Sequence, residues 1–240
     1  MKNAFVVTGA SQGLGATLAF EAFKAGFPVA LIGRDKAKLE KVKAEISSQA
    51  KENLKVSIHS GDLSDESQCH EIFNAIKSNH GGVCALVNNA GTWTGGKTVM
   101  ELSRDDVQKS FDLNFFSAFN ATKEVLEMRK PNSELCIINI GATSSLQGWD
   151  NVAAFSLAKG ALRSFSQSLA REMGPEGVHV AHLIIDGLID NPRTRALNPS
   201  SEPNKFINMT SIAKSILNIA GQDRSCWTFE WDVRLYNENW

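Results

Sequence analysis

Eight residues near the amino terminus, Thr8-Gly9-Ala10-Ser11-Gln12-Gly13-Leu14-Gly15, have the types and spacing of a phosphate cradle. They follow an apolar run, Ala4–Val7, and open a helical pattern. Gly9 permits a tight turn, Gly13 lets the backbone approach a pyrophosphate, and Gly15 lets helix pack closely on strand. With Ser11, Gln12 and Leu14 between the glycines, free N–H groups at the helix start would face the phosphates. Strand before and helix after make the motif specific for a dinucleotide. The next apolar run ends Leu31-Ile32-Gly33-Arg34-Asp35. A carboxylate at such a tip binds a ribose 2′-hydroxyl, whereas a guanidinium suits a 2′-phosphate by charge and fork geometry. The expected cofactor is NADP(H), with NAD(H) less favoured. Asp35 would serve NAD(H) if it turned inward; otherwise it begins the next helix as an N-terminal acid.

The elements that must position these residues are legible as an alternation. Ala4–Val7, Pro28–Ile32, Leu54–His59, Cys84–Val87, Leu135–Ile140 and Val178–Ile185 are strand-like, several apolar nearly throughout, as in strands buried on both faces. Helical patterns lie near 13–25, 35–50, 64–79, 103–129, 151–173 and 209–220, and a final strand near 226–233. The alternation predicts an α/β fold: a single doubly wound (Rossmann) parallel sheet of about seven strands, flanked by helices. Right-handed crossovers then set the carboxyl ends of the strands along one edge, where ligands bind. No composition shift divides residues 1–240. The stretch 186–208 is too long for an ordinary connection and follows a strand end, so it is expected to be a substrate lid, against the alternative of a surface excursion.

The Gly-x-x-x-Gly-x-Gly spacing, Asn88-Asn89-Ala90-Gly91 after the fourth strand, Asp62 in Gly61-Asp62-Leu63, Asn114 and Lys159 together resemble the short-chain dehydrogenase/reductase family over roughly residues 3–190. The resemblance implies that Asp62 and Leu63 border the adenine and that Asn88, Ala90 and Gly91 flank the ribose side of the nicotinamide. It implies that Lys159 holds the nicotinamide ribose and that Asn114 anchors a water chain. The family's Pro-Gly and carboxamide-binding threonine are replaced here by Asp186-Gly187-Leu188-Ile189-Asp190-Asn191, in which Asn191 could take the threonine's place. Asp186 is either a relay acid or, more simply, a turn cap.

The same resemblance exposes a departure at the chemical end. The family's proton donor is the tyrosine of Tyr-x-x-x-Lys; this chain reads Phe155-Ser156-Leu157-Ala158-Lys159. Hydride transfer to a carbonyl needs a proton for the developing alkoxide, and phenylalanine has none to give. The serine slot, thirteen residues earlier, falls on Ala142, with Thr143, Ser144 and Ser145 next to it. The longer spacing Tyr-x6-Lys of enoyl reductases fails too, because that slot is Val152. Phe155 also falls on an apolar helical stripe with Ala158, Leu162, Phe165 and Leu169, where it could simply pack. Catalytic candidates are Asn114, Lys159, Thr143 and Ser144. Trp93 and Trp149 sit where relatives line the substrate pocket and point to an apolar or aromatic substrate.

A net charge of −1 with no basic stripe argues against nucleic acid as partner, and no apolar run reaches membrane-spanning length. Cysteines 69, 84, 136 and 226 form no Cys-x-x-Cys pair, and His179 and His182, three apart on a strand, point to opposite faces. No metal site is expected, and a cytoplasmic location is. Two functions remain. One is an NADP(H)-dependent oxidoreductase acting on a carbonyl/alcohol pair or activated double bond of a small molecule, with water or a hydroxyl of 143–145 as proton source. The other is a catalytically inactive NADP(H)-binding redox sensor or partner subunit. Helices near 103–129 and 151–173, which resemble those that pair across subunits in the family, together with the aromatic segments 227–231 and 236–240, predict a homodimer or homotetramer.

Overall fold

Strand β1 (Ala4–Thr8) is central to a seven-stranded, all-parallel sheet that also contains β2 (Val29–Gly33), β3 (Val56–Ser60), β4 (Val83–Asn88), β5 (Leu135–Ile140), β6 (Val178–Asp186) and β9 (Glu230–Arg234). The spatial order is β3-β2-β1-β4-β5-β6-β9. This computed structural model describes residues 3–48, 54–131 and 133–237. The strand order reverses direction between β1 and β4, the point at which doubly wound sheets open a crevice for ligands.

Both faces of the sheet are covered, which is why the strands lack alternation. Phe5, Val7, Leu31, Val87, Ile138 and Leu183 face helices α1 (Gly13–Lys24), α2 (Lys36–Ser48) and α8 (Met209–Ala220). Ala4, Val6, Ile32, Leu86, Ile137 and Val180 face α3 (Glu66–His80), α5 (Ser117–Met128) and α6 (Ala153–Met173). Local signals set the helix ends. Asp65 caps α3 by accepting from the Gln68 N–H, and Gly81 ends it at φ 80°. Ser103 and Asp106 form a reciprocal capping box at the start of α4 (Arg104–Phe111).

Three expectations need correction. The pattern at 103–129 is not one helix: α4 and α5 are joined by a π-helical segment, Asp112–Phe116. The stretch 186–208 is not irregular. It contains β7 (Leu188–Ile189), paired in parallel with β8 (Phe206–Ile207), and helix α7 (Pro192–Leu197), capped by Asn191. The aromatic end is less exposed than expected: Trp227 stacks on His179 with centroids 4.9 Å apart, and Trp231 packs against the core while donating to Ser215. Tyr236 is exposed, and residues 238–240 lie outside the described residues.

Candidate functional site

A cleft of about 1120 Å³ opens over the carboxyl ends of β1, β4, β5 and β6. Its lining comes from the glycine turn, from the loops after β4 and β5, from α6, and from the segment after β6.

The glycine turn occupies one end. Gly9 and Gly13 have φ of 66° and 59°, values that side chains resist. A Cβ at Gly15 would overlap the Gly9 carbonyl oxygen, so close packing of helix on turn requires glycine there. Helix α1 begins at Gly13, and its N-cap residue Gln12 makes no side-chain capping bond, which leaves first-turn N–H groups open to an anion. Asn89, which the sequence reading did not single out, ties this turn to β4. Its Nδ2 donates to the Thr8 carbonyl at 2.9 Å, and the Thr8 hydroxyl accepts from Ala90 N–H at 2.8 Å. Gln12, Gly13, Leu14, Gly15, Ala90 and Gly91 line the cleft. Ser11 lies beside the tip of β2, where a Cβ at Gly33 would meet its Cβ at 3.4 Å.

At that tip Arg34 is exposed, and its guanidinium has no partner among the described residues. Asp35 turns the other way. Its Oδ1 accepts from Lys38 N–H at 3.0 Å at the start of α2, a bond that pulls its carboxyl below the ordinary carboxylate range. Asp62, next in line after β3, folds back on Ser64, accepting from its N–H and hydroxyl at 2.9 and 2.7 Å. Leu63 is buried, its carbonyl held by Asn120. Asn88 faces away from the cleft: its Nδ2 donates to Asn139 at 2.8 Å and to Thr122 at 3.1 Å within the core.

Gly91, Asn114 and Lys159 converge at the other end. A Cβ on Gly91 would lie 2.8 Å from Asn114 Oδ1 and 3.5 Å from Lys159 Nζ, so only glycine lets these two side chains share the wall. Asn114, in the π segment, is buried; its Oδ1 accepts from Thr92 N–H at 3.0 Å and its Nδ2 donates to the Ser110 carbonyl at 3.1 Å. A π turn that re-aims a polar side chain at a cleft is a frequent feature of functional sites. Lys159 is 6% exposed and donates to the Ile140 carbonyl at 2.8 Å. Burial pulls its ammonium down to about 8.

Phe155, half-buried, lines the cleft with its ring centroid 5.8 Å from Lys159 Nζ, whereas Ala158, Leu162 and Leu169 of the same stripe are core. Ala142 also lines the cleft. Thr143 and Ser144 do not: the Thr143 hydroxyl donates to Asp186 Oδ1 at 2.6 Å, and Ser144 is buried. Asp186 is in turn 3.3 Å from Arg234, so it links the β5 loop to β9. Asn191 lines the cleft, but its amide is engaged locally with Thr194 and Ile189. Trp93 lines the cleft and lies against Gly95; Trp149 is half-exposed outside it. His182, fully buried behind Gly141, leaves its Nε2 without a partner among the described residues. No group of three His, Cys, Asp or Glu among the described residues could hold a metal ion, and no helix there is long and apolar enough to cross a membrane.

Comparison with known proteins adds a family context. A family model described as short chain dehydrogenase matches residues 3–202. A short-chain dehydrogenase structure from Rhodopseudomonas palustris is 28% identical, superposes with a TM-score of 0.82, and is covered over its whole length by 98% of this chain. A metagenomic short-chain oxidoreductase in complex with NADP is 25% identical, with a TM-score of 0.82 over 97% of this chain and 96% of its own. The fold is shared at a TM-score of 0.89 and 22% identity, over 98% of this chain and 96% of the other, with an NADPH-bound short chain oxidoreductase from Pseudomonas aeruginosa PAO1 described as containing an atypical catalytic center.

Proposed function

This chain belongs to the short-chain dehydrogenase family, and on that premise we propose that it is an NADP(H)-dependent oxidoreductase with a non-standard proton source. The observation that carries the reading is one cleft with an open glycine turn at one end and Lys159 and Asn114 at the other. The residues fit the dinucleotide. The uncapped first turn of α1 supplies N–H donors for the pyrophosphate. Arg34, exposed next to Gly33 and without a partner among the described residues, suits the 2′-phosphate, while the Asp35 carboxylate is engaged at the start of α2. NADP-bound and NADPH-bound relatives support the same preference. Asp62 and Leu63 would border the adenine, as the family resemblance implies.

When bound, the cofactor supplies or accepts a hydride. Lys159, with one N–H on Ile140, keeps further donors for ribose hydroxyls. Asn114 fixes the Thr92 backbone and with it the loop that shapes the wall. Phe155 occupies the slot of the family's tyrosine and offers an apolar face. A carbonyl oxygen gaining negative charge near it must take its proton from elsewhere. Thr143 already donates its hydrogen to Asp186, so water held at the Lys159 ammonium is the source that the geometry favours. Loss of a positioned acid costs roughly 10²–10⁴-fold in rate. Substrates that need little proton assistance, such as quinones, diketones and enones, are therefore favoured over ordinary ketones.

Segment 186–208 acts as the lid in this reading, with Leu188, Ile189 and α7 lining the cleft. The half-buried cluster of Phe111, Phe115, Phe116, Phe119 and Phe165, on α4, the π segment, α5 and α6, supports assembly through those helices. A second reading, an NADP(H)-binding sensor or partner subunit without turnover, is favoured by the engaged Thr143 hydroxyl and by Phe155. NADPH consumption against aldehydes, quinones, diketones and enones separates the two. Turnover of any class supports the oxidoreductase; tight NADPH binding without turnover supports the sensor.

A further inference from the structure

The cleft contains no acidic side chain among its described lining residues, and its only charged ones are Lys159 and Arg193. Lys159 is buried in the wall, whereas Arg193 projects from the first turn of α7. Arg193 Nη1 donates to Thr92 Oγ1 at 3.1 Å, and its other donors have no partner among the described residues. Its neighbour Arg195 behaves differently. That guanidinium forms a two-pronged pair with Asp190 at 2.6 and 3.0 Å and lies over Phe206, 4.6 Å from the ring centroid. One arginine of α7 thus holds the segment together, and the other is left available inside the cleft. Thr92 follows Gly91, on which a Cβ would meet Asn114 and Lys159, so the contact holds Arg193 at the chemical end of the cleft. Around it the lining is apolar: Trp93, Phe155, Leu188, Leu197.

We propose that Arg193 recognises an anionic group, a carboxylate, on a substrate whose body is apolar or aromatic. A guanidinium without a counter-ion beside low-dielectric walls attracts a planar anion strongly and binds it in two-pronged fashion. The apolar surround rewards a hydrophobic body while Thr92 orients the fork. This inference rests on the reading of the same cleft as a cofactor-dependent reductase site and narrows its substrates to aryl or alkyl acids bearing the reducible group.

The test uses the full chain saturated with NADP⁺ and two probes, trans-cinnamate and its neutral amide, titrated by calorimetry, with NADPH affinity measured in parallel. The wild type should bind cinnamate about tenfold or more tightly than the amide, the discrimination expected of a charge-assisted hydrogen bond. Arg193→Leu should bring the two probes within about twofold and keep NADPH affinity, and Arg193→Lys should retain part of the preference. Arg193 is exposed, and an unchanged melting temperature will show that the variants fold. Equal affinity of both probes for the wild type, or binding of neither, overturns the inference. So does a loss of NADPH affinity in Arg193→Leu, which would assign the guanidinium to the cofactor's pyrophosphate. Failure of the wild type to bind NADPH at all would instead overturn the cofactor reading beneath it.

Discussion

At the glycine-turn end of the cleft, the binding features are properties of the backbone. Gly9 and Gly13 adopt positive φ, Gly15 packs where no Cβ fits, and α1 starts without a side-chain cap. At the Lys159 end, chemistry depends on individual side-chain atoms. Asn114 and Lys159 converge there, but Phe155 brings no hydroxyl and Thr143 is turned to Asp186. On the proposed function, the difference explains how a nucleotide site can persist while its chemistry changes. Backbone recognition is spread over a whole turn and its neighbours, whereas a proton donor is one oxygen atom and a single substitution removes it.

Restoring that atom should produce the largest effect. Phe155→Tyr combined with Ala142→Ser is expected to raise ketone reduction by roughly 10²–10⁴-fold, measured as NADPH consumption, because it returns a positioned acid to the cleft. An unchanged rate would mean that the two ends are out of register and that more than the donor is missing. The converse break is at the backbone end. Gly15→Val places a Cβ into the Gly9 carbonyl and should weaken NADPH binding about 100-fold or more, with a lowered melting temperature. Retained binding would show that the turn is not the phosphate site.

A smaller change sharpens the cofactor end. Arg34→Leu should cost NADPH about tenfold in affinity and leave NADH unaffected, the loss of charge-assisted bonds to one phosphate. Parallel titrations of both coenzymes decide this. A last effect, on stability and not on binding, marks what belongs to neither end. Ser57 bonds both His59 and His80, at 2.8 and 2.7 Å, in a buried cluster away from the cleft. Burial first, and neighbouring positive charge second, pulls both imidazoles from the ordinary 6.5 to about 4. Between those values the unfolded chain takes up protons that the folded chain refuses, so stability falls as pH falls through that window. The slope is about 1.4 kcal/mol per pH unit for each histidine. Urea midpoints from pH 7 to 4.5 should decline accordingly, and His59→Gln should flatten the decline.

Strand and helix positions were readable because their signals are local. Strands buried on both faces are continuous apolar runs, and the caps Asp65 and Ser103 stand next to the helices they start. The glycine turn was readable for the same reason. What stayed hidden depends on distant partners. The π segment that aims Asn114 carries no sequence signature, since it is set by packing around the residue. Asn88 could not be seen to turn inward, because its partner Asn139 lies 51 residues on. Thr143 and Asp186 are 43 residues apart, so neither residue type announced that the hydroxyl was engaged. The pairing of Leu188–Ile189 with Phe206–Ile207, two residues a side, is too short for any periodicity to register.

In the proposed function, an intact dinucleotide site that prefers the 2′-phosphate is joined to a chemical end without its acid. Calorimetric titration of the whole chain with NADPH and then NADH tests the first half most directly. Saturable binding at one site, with NADPH about tenfold tighter or more, is the predicted result. Absence of heat with either coenzyme at millimolar concentration would contradict it.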